Sequence, residues 1–302
     1  MYSNQVPRIE SQRDTETTDQ PTVDEAQGDL LYKQPKALSL AKTRTHVKQF
    51  FQSSDYPSAP NKTAIIDWNT GSSYVDIGNS YLGFDLLCKS SDEATFGFGK
   101  GSSMNVKSRV TIRSRSGTEI ERLEGANLWS KIDMQYSLPR NFRDTMGSAM
   151  GMDSGPITNP TNISPMETSS LAGNFSKRVK LVIPLKQLCP FFRPLKGQLM
   201  PPQLASGLHI EIVFENALNS FVKQGSPIAD YDISDIHFML DSVELSDETQ
   251  KTLNMESADN GLEWVTPRVY TAITSVPSGQ TQVSVQLESL ALKQQWLIQS
   301  FN

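Results

Sequence analysis

The sequence predicts an all-β protein: an antiparallel two-sheet sandwich of jelly-roll type, with short connecting helices and a disordered N-terminal arm. Three observations carry this. Apolar and polar residues alternate at period two in segment after segment, as strands with one face in a core require. Gly, Pro, Asn and Ser cluster between those segments and supply the turns. Strands do not alternate with long helical patterns and no repeat is present, so a parallel α/β sheet and a solenoid are both disfavoured.

Residues 1 to 53 read as the flexible arm and residues 54 to 302 as the sandwich. The arm is polar, with TETTDQPTVDEAQGD at its centre, and cannot bury enough apolar area to offset the entropy of ordering it. Its cations Arg8, Arg13, Lys33, Lys36, Lys42, Arg44 and Lys48 are balanced by seven carboxylates. Leu30, Leu31 and Tyr32, and then Phe50 and Phe51, are apolar clusters that a solvated tail does not need. They are candidate contacts of the arm with neighbouring subunits; a simple floppy tail is the alternative.

Strands begin after the turn cluster SSDYPSAPN. Ala64 to Trp68 is short and apolar, and SYVDIGNSYLGFDLLCK forms one or two strands. The glycine-rich GFGKGSS, Gly97 to Ser103, is followed by a strand instead of a helix and lacks phosphate-loop spacing, so it reads as a loop. In NVKSRVTIRSR, Val106, Val110 and Ile112 alternate with charged residues. Lys107, Arg109, Arg113 and Arg115 then form a candidate basic face on the solvated side. Gly117 to Leu138 changes period: Leu128, Ile132 and Tyr136 fall four apart beside Trp129, so a helix lying across a sheet end is expected there. Residues 139–173 suggest no element.

The stretch from Asn174 to Glu215 holds the clearest strands. Val179, Leu181 and Ile183 alternate, and Pro184 ends the run because it has no N–H to donate. Leu185 to Phe192 reads as one helical turn with an apolar face, and Pro201, Pro202 and Gly207 turn the chain back. Ile210, Ile212 and Phe214 alternate again and should share the core with the first strand. Ile233 to Leu245 is one long strand or a pair. Ser246 opens a helix to Ser257 as a cap. EWVTPRVYTAITSV and TQVSVQLESLAL complete the strands, with Pro277-Ser278-Gly279 between them.

Composition narrows the function. The net charge of −5 argues against a protein that coats nucleic acid, which needs Lys and Arg in excess. No apolar run is long enough to cross a membrane as a helix. The N-terminus reads as no signal peptide. Cys88 and Cys189 are too few for a disulfide framework or a thiolate metal site and read as buried thiols. His46, His209 and His237 are scattered, with no metal-binding spacing, and no nucleophile elbow occurs. No catalytic residue, cofactor or metal is therefore expected.

Short phrases then carry a resemblance. WNTGSSYVDIGNSYL (Trp68 to Leu82), RVTIRSRSGTEIERL (Arg109 to Leu123), VIPL (Val182 to Leu185), the P-x-x-L-x-S-G-L turn (Pro201 to Leu208) and DSVEL (Asp241 to Leu245) follow one another in order. In this layout the chain resembles single jelly-roll capsid proteins of icosahedral viruses, with penton (vertex) proteins of virophages and polinton-like viruses most similar. The resemblance implies a non-enzymatic shell subunit, assembled inside the host cell and residing in the virion. It also implies a homo-oligomer, a pentamer at a vertex, bordered by neighbouring capsid proteins, with indirect or weak genome contact. One departure is the nearly neutral arm, where many RNA-virus capsid proteins carry a basic one; this favours a vertex protein of a DNA virus. A major capsid protein of a small icosahedral virus is the nearest alternative. A carbohydrate- or receptor-binding β-sandwich, with Tyr56, Trp68 and Tyr74 as stacking platforms, and a jelly-roll metalloenzyme are the others.

Overall fold

A computed structural model of the chain describes residues 41–90, 94–98, 102–147, 149–152, 166–167, 169–171, 174–195, 199–225, 228–269, 271 and 297–298. Eight long strands build it: β1 Ala41–Phe50, β2 Thr63–Trp68, β3 Tyr74–Ser90, β4 Lys107–Arg113, β5 Glu119–Glu124, β6 Asn174–Pro184, β7 Leu208–Phe214 and β8 Ile228–Leu245. Hydrogen bonding orders them β1-β8-β3-β6 in one sheet and β2-β7-β4-β5 in the other, all neighbours antiparallel. Each sheet therefore takes its strands alternately from β1–β4 and β5–β8, which is the double Greek key of a jelly roll. Ser169–Leu171 extends the first sheet beyond β6, and Leu199–Met200 pairs with β3.

The facing sides of the two sheets meet in one apolar core. Trp68 of β2 lies between Phe238 of β8 and Phe192, with both ring centroids 5.4 Å away. Strand β7 alternates cleanly: Leu208, Ile210, Ile212 and Phe214 are buried while His209, Glu211 and Val213 are partly exposed. Leu181 and Ile183 of β6 join the same core, and Val179 packs at its margin. The expected helical turn after Pro184 is two 3-10 turns, Leu185–Gln187 and Pro190–Phe192, whose apolar side chains plug one end.

Among the described residues the longer α-helices in connections are α1 Ala126–Tyr136, α2 Arg140–Met146 and α3 Asp247–Asn260, with single turns at Pro202–Ala205 and Ala217–Ser220. Gly125 makes the corner into α1 at φ 64°, a left-handed conformation that glycine adopts without strain. The predicted cap of α3 is present, Ser246 Oγ accepting the Thr249 N–H at 3.4 Å. Leu253 of α3 packs with Tyr74, Val243 and Leu245 in a second, smaller core.

Several expectations are corrected. The arm was expected to run to residue 53, but β1 already begins at Ala41, and the compact unit starts there. A strand with polar side chains on both faces shows no apolar alternation; its backbone pairing with β8 makes it a strand. Glu119–Glu124, expected within a helix, is a strand, and α2 lies in the stretch that suggested no element. Helix α2 has no side-chain cap, and only Phe142 and Met146 mark an apolar face. Residues 264–269, expected as strand, are not one. TQVSVQLESLAL lies outside the described residues.

Candidate assembly surfaces

Strand β1 is attached to the sandwich by charge as well as by its ladder. Asp76 on β3 and Asp241 on β8 are cross-strand partners, and both are buried. Two ionised carboxylates facing each other away from water need a cation. Arg44 supplies it: Nε donates to both Asp241 oxygens at 2.9 and 2.8 Å, and Nη2 bridges Asp241 and Asp76. Gly78 N–H at 2.8 Å and Asn79 Nδ2 at 2.9 Å donate to Asp76 as well. The hydrogen bond and charge of Asp241, followed by the charge of Asp76, push the Arg44 pKa further up despite its partial burial. Further along β1, Thr43 donates to Glu244 at 2.7 Å, and Lys48 pairs with Asp235 at 3.0 Å.

The predicted arm contacts separate. Leu30, Leu31 and Tyr32 lie outside the described residues. Phe50 is 51% exposed, with Lys48 Nζ 4.7 Å from its ring centroid and the His237 ring at 6.0 Å. Phe51 is a correction: it is buried, its ring 5.1 Å from Phe238, because the chain turns there from one sheet to the other. It serves the chain's own core.

The predicted basic face is corrected too. Across β4 and β7, Val213 pairs with Arg109 but Phe214 with Lys107, so Ser108 is an extra residue. That bulge turns Lys107 to the core side, where it is fully buried. Its Nζ lies 3.1 Å from Met104 Sδ and 5.3 Å from the Phe84 ring centroid, and desolvation holds its pKa well below the usual lysine value. Arg109 stands 3.8 Å from Glu124, and Arg113 pairs with Glu211. Only Arg115 of the four is exposed on its own account.

Beside Arg113, on the outer side of the second sheet, His209 sits between two carboxylates. Nδ1 meets Asp67 at 2.7 Å and Nε2 meets Glu211 at 3.3 Å. Hydrogen bonds from His209 and then Gln52 lower the Asp67 pKa. Asp67, Arg113, Ser114, Arg115, Gly207 and His209 border a shallow depression of about 420 Å³. Each ring nitrogen thus faces a carboxylate, and Arg113 pairs with Glu211 beside them. The arrangement is a charge network across three strands. Among the described residues no group of His, Cys, Asp and Glu could hold a metal ion, and no helix is long and apolar enough to cross a membrane. Both cysteines are free and buried, which pushes their thiol pKa values up. Tyr56, Trp68 and Tyr74 are buried in the subunit, so none is available as a stacking platform.

Helix α1 turns its periodic apolar residues outward. Leu128, Ile132 and Tyr136 are 53%, 62% and 82% exposed. Its buried side carries Ala126, Asn127, Ser130 and Met134. Polar anchors fix this rotation: Arg193 forms a bidentate pair with Asp133 and lies 4.9 Å over the Trp129 ring, and Asn127 donates to Glu215 at 3.2 Å. The outcome is an apolar stripe presented to solvent on an anchored helix. Sequence reasoning also missed the row Lys42, Arg44, His46 and Lys48, although K-x-R-x-H-x-K repeats at the strand period. The polar composition around it masked the signal.

No protein-family model matches the chain, and no curated protein does. Solved structures do show likeness. The Faustovirus major capsid protein is similar with a TM-score of 0.46 and 9% identity, over 80% of this chain and 60% of that one. The PBCV-1 virus capsid is similar with a TM-score of 0.42 and 11% identity, over 73% of this chain and 46% of that one. The Sulfolobus Turreted Icosahedral Virus structure follows at 0.32 and 10%, over 72% of this chain and 49% of that one. The chain thus spans about half the length of the structures it matches. The jelly roll itself stands on the strand order and register above.

Proposed function

We propose that the chain is a viral capsid subunit: a jelly-roll wedge that associates with copies of itself, as a pentamer at an icosahedral vertex, and with neighbouring capsid proteins. Residues 1–40 act as the arm in this reading, ordering on neighbours, and the assembled protein resides in the virion after assembly inside the host cell. The observation that carries the proposal is the pairing of a rigid jelly roll with an outward apolar stripe, Leu128, Ile132 and Tyr136, on a helix fixed by Arg193. A subunit that acts alone gains nothing from such a stripe; one that closes a ring buries it at each contact. A jelly roll also serves binding proteins and enzymes, so the surfaces have to decide. The burial of Tyr56, Trp68 and Tyr74 favours association over a binding module that would stack ligands on them. Genome contact is indirect or weak, since Arg109 and Arg113 are already paired with carboxylates and the chain is acidic.

Sedimentation and negative-stain microscopy of the full-length protein test this. Closed rings, five subunits to each, are expected, and Ile132→Ser with Tyr136→Ser should weaken them without altering the urea midpoint. A full-length protein that stays monomeric at high concentration, in both low and high salt, overturns the proposal.

A further inference from the structure

Strand β1 ends its sheet, and its outer edge is open. From Thr43 to Phe50 its ladder runs to β8 alone, in regular register and without proline. Every second N–H and C=O on its other side therefore points away from the sheet with no strand partner among the described residues. Proline, bulges or a covering element normally blunt such an edge. Residues 42–48 are exposed on both faces of the strand. One face carries Lys42, Arg44, His46 and Lys48 at every second position. Arg44 is held by Asp76 and Asp241, and Lys48 by Asp235. Lys42 and His46 meet no carboxylate among the described residues. Val47 and Phe50, 46% and 51% exposed, add apolar surface.

We propose that this edge accepts, as an added strand, the acidic stretch 14–29 of a second copy of the chain. The inference rests on the self-association proposed above and says which surface the arm takes. The stretch contains Asp14, Glu16, Asp19, Asp24, Glu25 and Asp29 and no Lys, Arg or His. Main-chain hydrogen bonds to the open edge supply affinity, and carboxylates opposite the basic row supply register. The donor is a neighbour for a geometric reason. Folding 14–29 back onto the same chain's β1 leaves residues 30–40 as the connection, far longer than the 2–5 residues usual in a hairpin. A tight hairpin would instead set Lys33 and Lys36 beside the basic row, where like charges repel. Those eleven residues span at most about 40 Å when extended, enough to reach an adjoining subunit.

The test uses full-length protein, mixing unlabelled and ¹⁵N-labelled copies before zero-length carbodiimide coupling and mass spectrometry. Lys42 should be joined to a carboxylate within 14–29 in mixed-isotope pairs. Lys42→Glu with His46→Glu should weaken self-association at least tenfold in sedimentation while leaving the urea midpoint unchanged. Adding Asp14→Lys and Glu16→Lys, which share one face of a strand, to that variant should restore association. Native association should weaken as salt rises from about 50 to 500 mM, since exposed charges are screened over that range. Links confined to single-isotope pairs, links at other surfaces, or a β1 variant that associates as tightly as the native chain overturn the inference and leave the capsid proposal intact. A native chain that never associates removes both.

Discussion

Replacing Arg44 by Met tests whether charge holds the first strand in place. The change keeps most of the apolar stem and deletes the cation. Asp241 then loses both Nε hydrogen bonds, at 2.9 and 2.8 Å, and the bridge to Asp76 disappears. Asp76 keeps Gly78 N–H and Asn79, but two buried carboxylates now face each other on paired strands. Removing one partner of a fully buried pair costs about 3–5 kcal/mol. Arg44 is 40% exposed on its side chain, so water screens part of that loss, and about 2–3 kcal/mol is expected. Urea unfolding at pH 7, followed by the fluorescence of buried Trp68, reads the loss, and hydrogen exchange should show β1 amides opening first. Asp76→Asn with Asp241→Asn in the Arg44→Met background should recover much of the stability. A loss below about 0.5 kcal/mol, or unchanged protection of β1, would show that the ladder alone holds the strand.

Three further outcomes are expected. Glu121 is buried on β5, and desolvation raises its pKa from 4.5 to about 7, opposed by a Phe191 backbone hydrogen bond and Arg268. The folded state therefore binds more protons than the unfolded one between those values, and stability falls as pH rises through the window, by up to about 1.4 kcal/mol per unit; Glu121→Gln should flatten that slope, and an unchanged pH profile of urea midpoints refutes it. Lys107 is the opposite case: desolvation lowers its folded pKa, so the unfolded state binds more protons and stability climbs with pH toward the usual lysine value. Lys107→Met should remove that climb, and a variant whose urea midpoints keep the native pH dependence would refute the assignment. Ile212→Ala should cost about 2–5 kcal/mol, since the side chain is fully buried between the sheets; a loss under about half a kilocalorie in urea unfolding would mean a different register.

Sequence alone determined those parts of the molecule whose signal is local. The alternation in β6 and β7, the stop at Pro184, the long β8 and the Ser246 cap are each written within a few residues, because side-chain direction and capping depend on the immediate backbone. The fold class followed from these elements. What needed tertiary structure was every choice made between distant segments. Strand β1 has no apolar face and exists as a strand because β8 offers a free ladder. Lys107 faces the core because one extra residue, Ser108, enters opposite β7, and a single slip turns each neighbouring side chain over. Helix α1 was legible as a helix, yet its orientation was set by Arg193 and Glu215, which lie far along the chain from Asp133 and Asn127. The periodic stripe on α1 marks an apolar face. Whether that face meets the chain's own sheet or turns outward is decided by long-range polar contacts that periodicity does not encode.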